Sequence, residues 1–290
     1  MPQTPSNMKQ VKLPSVQGLA AQQANALLAW HPHLSVDLPL LVVLFFHGRE
    51  PDPQNFAWRR HLLPQHLAGC GKNAVLLAPT MRMTAQNDVS TTYLSTHDRI
   101  ATLVRDGLSV LRTALGLTAD TAWVDRATSD ARLLLVGYSN GYLAWSKAVK
   151  TLQSPRPATS TVMTPPAAIG HSLFDCLYWS TPLMDGVNRD SPAGNARFSA
   201  NGKAIVDAAF VTTHFTSRNE TLRQGDYLKV MIEREELVAH DHVPETLGPR
   251  NIVRTLLPAD DHFDAVSSRS DLSHVIAATA GFDLPARLSA

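Results

Sequence analysis

Leu133-Leu134-Leu135-Val136-Gly137-Tyr138-Ser139-Asn140-Gly141 is a short apolar run that stops at a glycine-flanked serine. A helix-like segment follows at once: Tyr142-Leu143-Ala144-Trp145-Ser146-Lys147-Ala148-Val149. The order is strand, sharp turn, helix. Such a turn lifts the Ser139 hydroxyl clear of the sheet edge. Gly137 and Gly141 suit it, because a side chain at either place would meet the neighbouring strand or helix. The five-letter pattern Gly-x-Ser-x-Gly carries little by itself. The apolar run before it and the helical segment after it give it weight.

Working outward, Leu38-Pro39-Leu40-Leu41-Val42-Val43-Leu44-Phe45-Phe46 is continuously apolar. It suits a strand buried on both faces, which indicates a parallel sheet. His47-Gly48 ends it, and a helix is expected near Ala57–Leu67. Asn73–Pro79 reads as a second buried strand. Ile100, Leu103, Val104, Leu108 and Leu111 recur at helical spacing, so a helix is expected over 97–115. Further strands are expected at Leu133–Val136, Ala167–Phe174, Ile205–Thr213 and Asn251–Leu257. The helix after the third strand is expected to run to about Leu152, and a last helix to cover Ser267–Ala280. Strands alternating with helices imply an α/β fold: a mostly parallel central sheet with helices on both faces. Residues 1–20, rich in Pro, Gln and Ser, are expected to form a flexible arm. Residues 21–290 are expected to form a single domain. The regions 178–205 and 215–250 read as excursions from the sheet that could serve as lids.

The chain has 290 residues, 44% hydrophobic and 18% charged, as expected of a globular protein. It carries 26 basic and 25 acidic side chains, a net charge of +1. That balance gives no electrostatic reason to expect a nucleic acid or an anionic membrane as partner. Cys70 and Cys176 lie far apart in apolar surroundings and are expected to be two buried thiols. The first twenty residues hold no apolar signal-like core, so a soluble, cytoplasmic protein is expected. The longest strongly apolar run, Leu38 to Phe46, is too short to span a bilayer. Nothing in the sequence sets an oligomeric state.

Functional residues of open α/β sheets gather at the carboxyl ends of strands. Those ends supply His47-Gly48, Ser139, Asp175 and, after the last strand, His262. Ser139 is the candidate nucleophile, and it needs an adjacent base. His262 is the first candidate base; His242, in His240-Asp241-His242, is the alternative. Asp175 is the first candidate acid to orient the imidazole, and Glu220 the alternative. An oxyanion hole needs two backbone N–H donors. Asn140 would supply one, and Gly48 or Arg49 the other. His47, Tyr138, Tyr142, Tyr178 and Trp179 are candidate pocket residues, though such aromatics are often simply core. No metal site is expected: neither His240-Asp241-His242 nor Asp260-Asp261-His262 has the spacing that marks one. No cofactor is required.

Together these residues resemble the α/β-hydrolase superfamily over roughly residues 38–280. The resemblance rests on Phe46-His47-Gly48, the Gly137–Gly141 nucleophile elbow and the late Asp261-His262-Phe263. Asn73–Pro79 is similar to the second conserved strand of bacterial serine hydrolases related to esterases. Asp175-Cys176-Leu177-Tyr178 matches an Asp-x-Leu-Tyr form found after the strand that follows the nucleophile strand in some of them. This chain lacks the Asp that commonly follows the next strand. The resemblance implies a serine hydrolase that cleaves a small-molecule carboxylic ester through an acyl-enzyme. An amidase or peptidase on the same fold, or a non-catalytic binding module, is the alternative, because fold alone does not choose a reaction.

Overall fold

The apolar run that begins at Leu38 forms a strand from Leu41 to Phe46, buried at every residue. In the computed structural model, residues 7–13, 25–48, 61–81, 90–158, 164–176, 182–185, 195–216, 219–235, 237–256, 265–266 and 271–285 are described. Their strands in chain order are β1 (Met8–Val11), β2 (Ala26–Trp30), β3 (Leu41–Phe46), β4 (Ala74–Pro79), β5 (Arg132–Tyr138), β6 (Ala167–Phe174), β7 (Met184–Asp185), β8 (Arg197–Phe198), β9 (Phe210–Phe215), β10 (Val238–His240) and β11 (Asn251–Leu256). The helices are α1 (Leu63–Ala68), α2 (His97–Ala114), α3 (Trp123–Asp130), α4 (Tyr142–Gln153), α5 (Ala200–Ala208), α6 (Asn219–Arg234) and α7 (Leu272–Ala278).

Nine strands form one sheet in the order β1-β2-β4-β3-β5-β6-β9-β11-β10, and β7 and β8 pair separately. β4, β3, β5, β6, β9, β11 and β10 run parallel. β2 is antiparallel to β4, and β1 to β2. Successive side chains of a strand point to opposite faces. Val42, Leu44 and Phe46 accordingly join a core with Ile100, Leu103 and Trp145 from α2 and α4. Leu41, Val43 and Phe45 join a second core with Leu63 and Leu67 of α1 and Val275 of α7. Two apolar layers, one on each face, explain why β3 and β4 read as unbroken hydrophobic runs.

Several elements differ from the sequence expectation. Helix α1 begins only at Leu63, with Pro64 in its first turn; a proline is tolerated there but not in a helix interior. Residues 57–60 lie outside the described set. The run Ile205–Thr213, expected as one strand, divides into the end of α5 and most of β9. Ser199 caps α5, its Oγ accepting from the Gly202 N–H at 2.8 Å, and Ile205 and Val206 are the buried face of that helix. Their β-branching imitated a strand because the cap lies outside the run.

Part of the expected arm is ordered into the sheet. Met8 and Val11 are buried while Lys9 and Gln10 between them are exposed, so only the ends of this edge strand are covered. The region 215–250 contributes α6 and the edge strand β10, so much of this excursion is a crossover connection within the sheet. Cys70 and Cys176 are buried and unpaired. Burial pushes the Cys70 thiol up to about 11. It also raises Cys176, with Asp175 beside it adding to the effect. Among the described residues no helix is long and apolar enough to cross a membrane.

Candidate active site

Central strand β5 ends at Tyr138, and a single 3₁₀ turn, Ser139–Gly141, joins it to α4. Ser139 has φ 51°, in the left-handed region. A side-chain-bearing residue there costs of order 1–3 kcal/mol. The turn works only because the chain passes so close to β3. A Cβ on Gly141 would fall 2.1 Å from the Phe46 carbonyl oxygen. Gly141→Ala should therefore cost about 3 kcal/mol or more, since backbone cannot give way as a side chain can. A lowered urea midpoint, with the slope unchanged, is the expected reading.

β3 ends next to the same turn. A Cβ on Gly48 would lie 2.8 Å from Ser139 Cβ and 3.2 Å from Ser139 Oγ. Gly48 thus lets its backbone lie directly beside the hydroxyl. His47 is buried and spends its ring on backbone. Nε2 accepts from the Met81 N–H at 2.9 Å, so Nδ1 carries the proton and donates to the Gly48 carbonyl oxygen at 2.7 Å. These bonds tie the end of β3 to the segment after β4. Asn140 is 9% exposed in the helical turn that follows β5. Arg49 lies outside the described residues.

Asp175 follows β6, the neighbour of β5, and is fully buried. Its φ is 44°, a second left-handed residue at the same sheet edge. Its N–H donates to the His214 carbonyl oxygen at 2.8 Å. Thr216, just after β9, gives the carboxylate two bonds: its N–H donates to Oδ1 at 2.7 Å, and its hydroxyl donates to Oδ2. Two donors of this kind offset the cost of burying a carboxylate. Thr216 was not among the residues expected from sequence. No local pattern announces it, because the partners are 41 residues apart. Thr216→Val keeps the shape and the N–H bond but removes the hydroxyl. A stability loss of about 2 kcal/mol is expected from chemical denaturation, as for a hydrogen bond to a charged group.

The remaining candidates are spread more widely. Tyr138 is buried, with its ring 4.8 Å from that of His61, and Tyr142 is half-buried at the start of α4. His61 is itself buried and donates from Nδ1 to the Val266 carbonyl oxygen at 2.7 Å. Sequence reading also missed His61; the bond spans 205 residues. His242 is exposed just beyond β10. That strand is four positions from β5 in the sheet, about 19 Å at ordinary strand spacing. Glu220 lies in the first turn of α6, with its side chain outside the described residues. His262, Tyr178 and Trp179 also lie outside them. Among the described residues no three His, Cys, Asp or Glu side chains converge as metal ligands would.

A mostly parallel sheet covered by helices on both faces, with a strained serine elbow at the tip of its central strand, is the α/β-hydrolase fold. No protein-family sequence model matches the chain, and no curated protein matches it in sequence. Among solved structures it is similar to an α/β serine hydrolase without a lid from Xanthomonas campestris. Identity there is 13%, coverage 88% of this chain and 90% of that one, and the TM-score 0.37. It is also similar to esterase B from Lactobacillus rhamnosis, at 13% identity, 88% and 75% coverage and a TM-score of 0.41. A third likeness is to a Bacillus subtilis carboxylesterase, at 9% identity, 89% and 88% coverage and a TM-score of 0.40. Likeness at this level bears on no individual residue's role.

Proposed function

We propose that this protein is a serine hydrolase that cleaves a carboxylic ester, with Ser139 as nucleophile, His262 as general base and Asp175 as the acid that orients it. The observation that carries the reading is the pair of left-handed residues, Ser139 and buried Asp175, at the tips of adjacent strands β5 and β6. Strain is retained where the surrounding structure over-determines it, and function is the common reason.

His262 takes the Ser139 proton as Oγ bonds to the acyl carbon. The carbonyl oxygen becomes an oxyanion, met by N–H groups of Asn140 and of Gly48 or Arg49. Collapse breaks the ester C–O bond, and His262 returns the proton to the leaving alkoxide. Water, deprotonated by His262, then attacks the acyl-enzyme and releases the acid and Ser139. Asp175 stays ionised and stabilises the imidazolium.

Two observations favour His262 over His242 as the base. Val266, four residues after His262, is fully buried and bonded to His61, whose ring packs on Tyr138 immediately before Ser139. His242, in contrast, stands exposed beyond the sheet's edge strand. The test is reaction with a fluorophosphonate, which needs an activated serine, followed by peptide mass mapping. A stoichiometric adduct on Ser139 is expected. A protein that takes up no label is a binding module on this fold. Faster turnover of an amide than of its matched ester would make it an amidase.

A further inference from the structure

A cleft of about 620 Å³ opens at the amino end of β6, on the opposite edge of the sheet from Ser139. Arg132 of β5 pairs with Ala167 of β6, seven residues before Ser139, so the Ala167 end of the cleft is about 23 Å from Ser139 along the strands. The volume is that of a small-molecule site. Its walls are largely apolar, formed by Val149 and Leu152 of α4, Pro165 and Pro166, and Ile205 and Ala208 of α5.

One polar group is built into this wall. His171 of β6 is 4% exposed and lines the cleft. Its Nδ1 accepts from the Trp145 indole N–H at 3.2 Å, so the ring proton sits on Nε2. That N–H has no partner among the described residues. Burial lowers the imidazole to about 4, so near neutral pH the ring is a neutral, single-proton donor. That N–H opens to the cleft, where a ligand oxygen would accept from it. Among the described residues the other charged or titratable lining groups are Arg156 and His97, and none is an Asp or Glu. Arg156 is held in place by a bond to the Thr164 hydroxyl.

We infer that this cleft is a second binding site, separate from the elbow, for a small amphipathic carboxylate: apolar body against α4 and α5, carboxylate toward His171 and Arg156. The apolar walls account for the body, and the Arg156 guanidinium with the His171 N–H accounts for the head group. This inference does not rest on Ser139 being a nucleophile.

The test is isothermal titration calorimetry with octanoate, octan-1-ol and octylammonium as probes. Octanoate should bind one-to-one with Kd of about 1 mM or tighter, and at least about tenfold more tightly than either comparator. Arg156→Gln should weaken octanoate about tenfold and leave octan-1-ol unchanged. Ala204 lies on the exposed side of α5 and lines the cleft, so Ala204→Trp fills it without touching the core. That variant should fold and lose octanoate binding. His171→Phe should weaken binding, with unchanged near-ultraviolet circular dichroism as the control for its lost bond to Trp145. No octanoate binding at millimolar concentration overturns the inference. So does binding that survives Ala204→Trp, or octylammonium binding as tightly as octanoate.

Discussion

Ser139→Ala should lose roughly 10⁴-fold or more of kcat on a short p-nitrophenyl ester, the scale seen when a serine nucleophile is removed from a triad. The substitution deletes one hydroxyl from a turn set by the backbone. Ala accepts the left-handed φ of 51° no better and no worse than Ser. The tightest packing that forces the turn, with Gly141 against Phe46 and Gly48 against Ser139 Cβ, involves atoms the variant keeps. Thermal stability should therefore move by less than about 1 kcal/mol, the range for a substitution that disturbs no core contact. KM should change far less than kcat, because the hydroxyl acts on the reacting carbon and not on substrate docking. Undiminished turnover in a folded Ser139→Ala protein would remove the hydrolase proposal.

Asp175→Asn should have a comparable effect, a fall in kcat of about 10⁴-fold, with little change in KM. Asparagine is nearly isosteric. Its amide oxygen can still accept from the Thr216 N–H, and the Thr216 hydroxyl can turn to accept from the new NH₂. What disappears is the negative charge and the acceptor that fixes the tautomer of the base. The strand tips and the buried bond from Asp175 N–H to His214 remain. Glu220→Gln is the companion measurement and should leave kcat within a factor of about three, as expected of a residue outside the reacting groups. The reverse pattern, a collapse with Glu220→Gln and near-normal rates with Asp175→Asn, would transfer the acid role to Glu220.

Both expectations depend on contacts of different visibility. The elbow is local. Its apolar strand, its serine and its following helix occupy consecutive residues, so period and turn chemistry reveal them together. The position of Asp175 is also local, at the point where the apolar run Ala167–Phe174 stops. How the carboxylate is held is not local. Thr216 reaches it from β9, and nothing in the residues around Thr216 distinguishes that threonine from any other at a strand end. His61 is a lone histidine in the sequence; only the sheet brings it between Tyr138 and Val266.

The misread segment 205–213 has the same origin. Ile205 and Val206 are β-branched, and single-residue preference favours a strand. The Ser199 cap and the apolar core that receives their side chains decide for a helix. Met8–Val11 shows the opposite limit. Two buried residues in four are too few to stand out in a polar stretch, yet pairing with β2 suffices to order them.

By itself, then, the sequence determined the buried parallel strands, the alternation that makes the fold α/β, and the strained turn that presents Ser139. It did so because strand burial, helix period and turn geometry act between residues close in the chain. The tertiary structure alone decided which carboxylate is buried on two donors, which histidine braces the strand before the serine, and where a second cleft opens. The first two depend on contacts between residues 41 and 205 positions apart, and the cleft depends on how β6 lies against α4 and α5. Such contacts are selected by packing in three dimensions and leave no periodic trace in one.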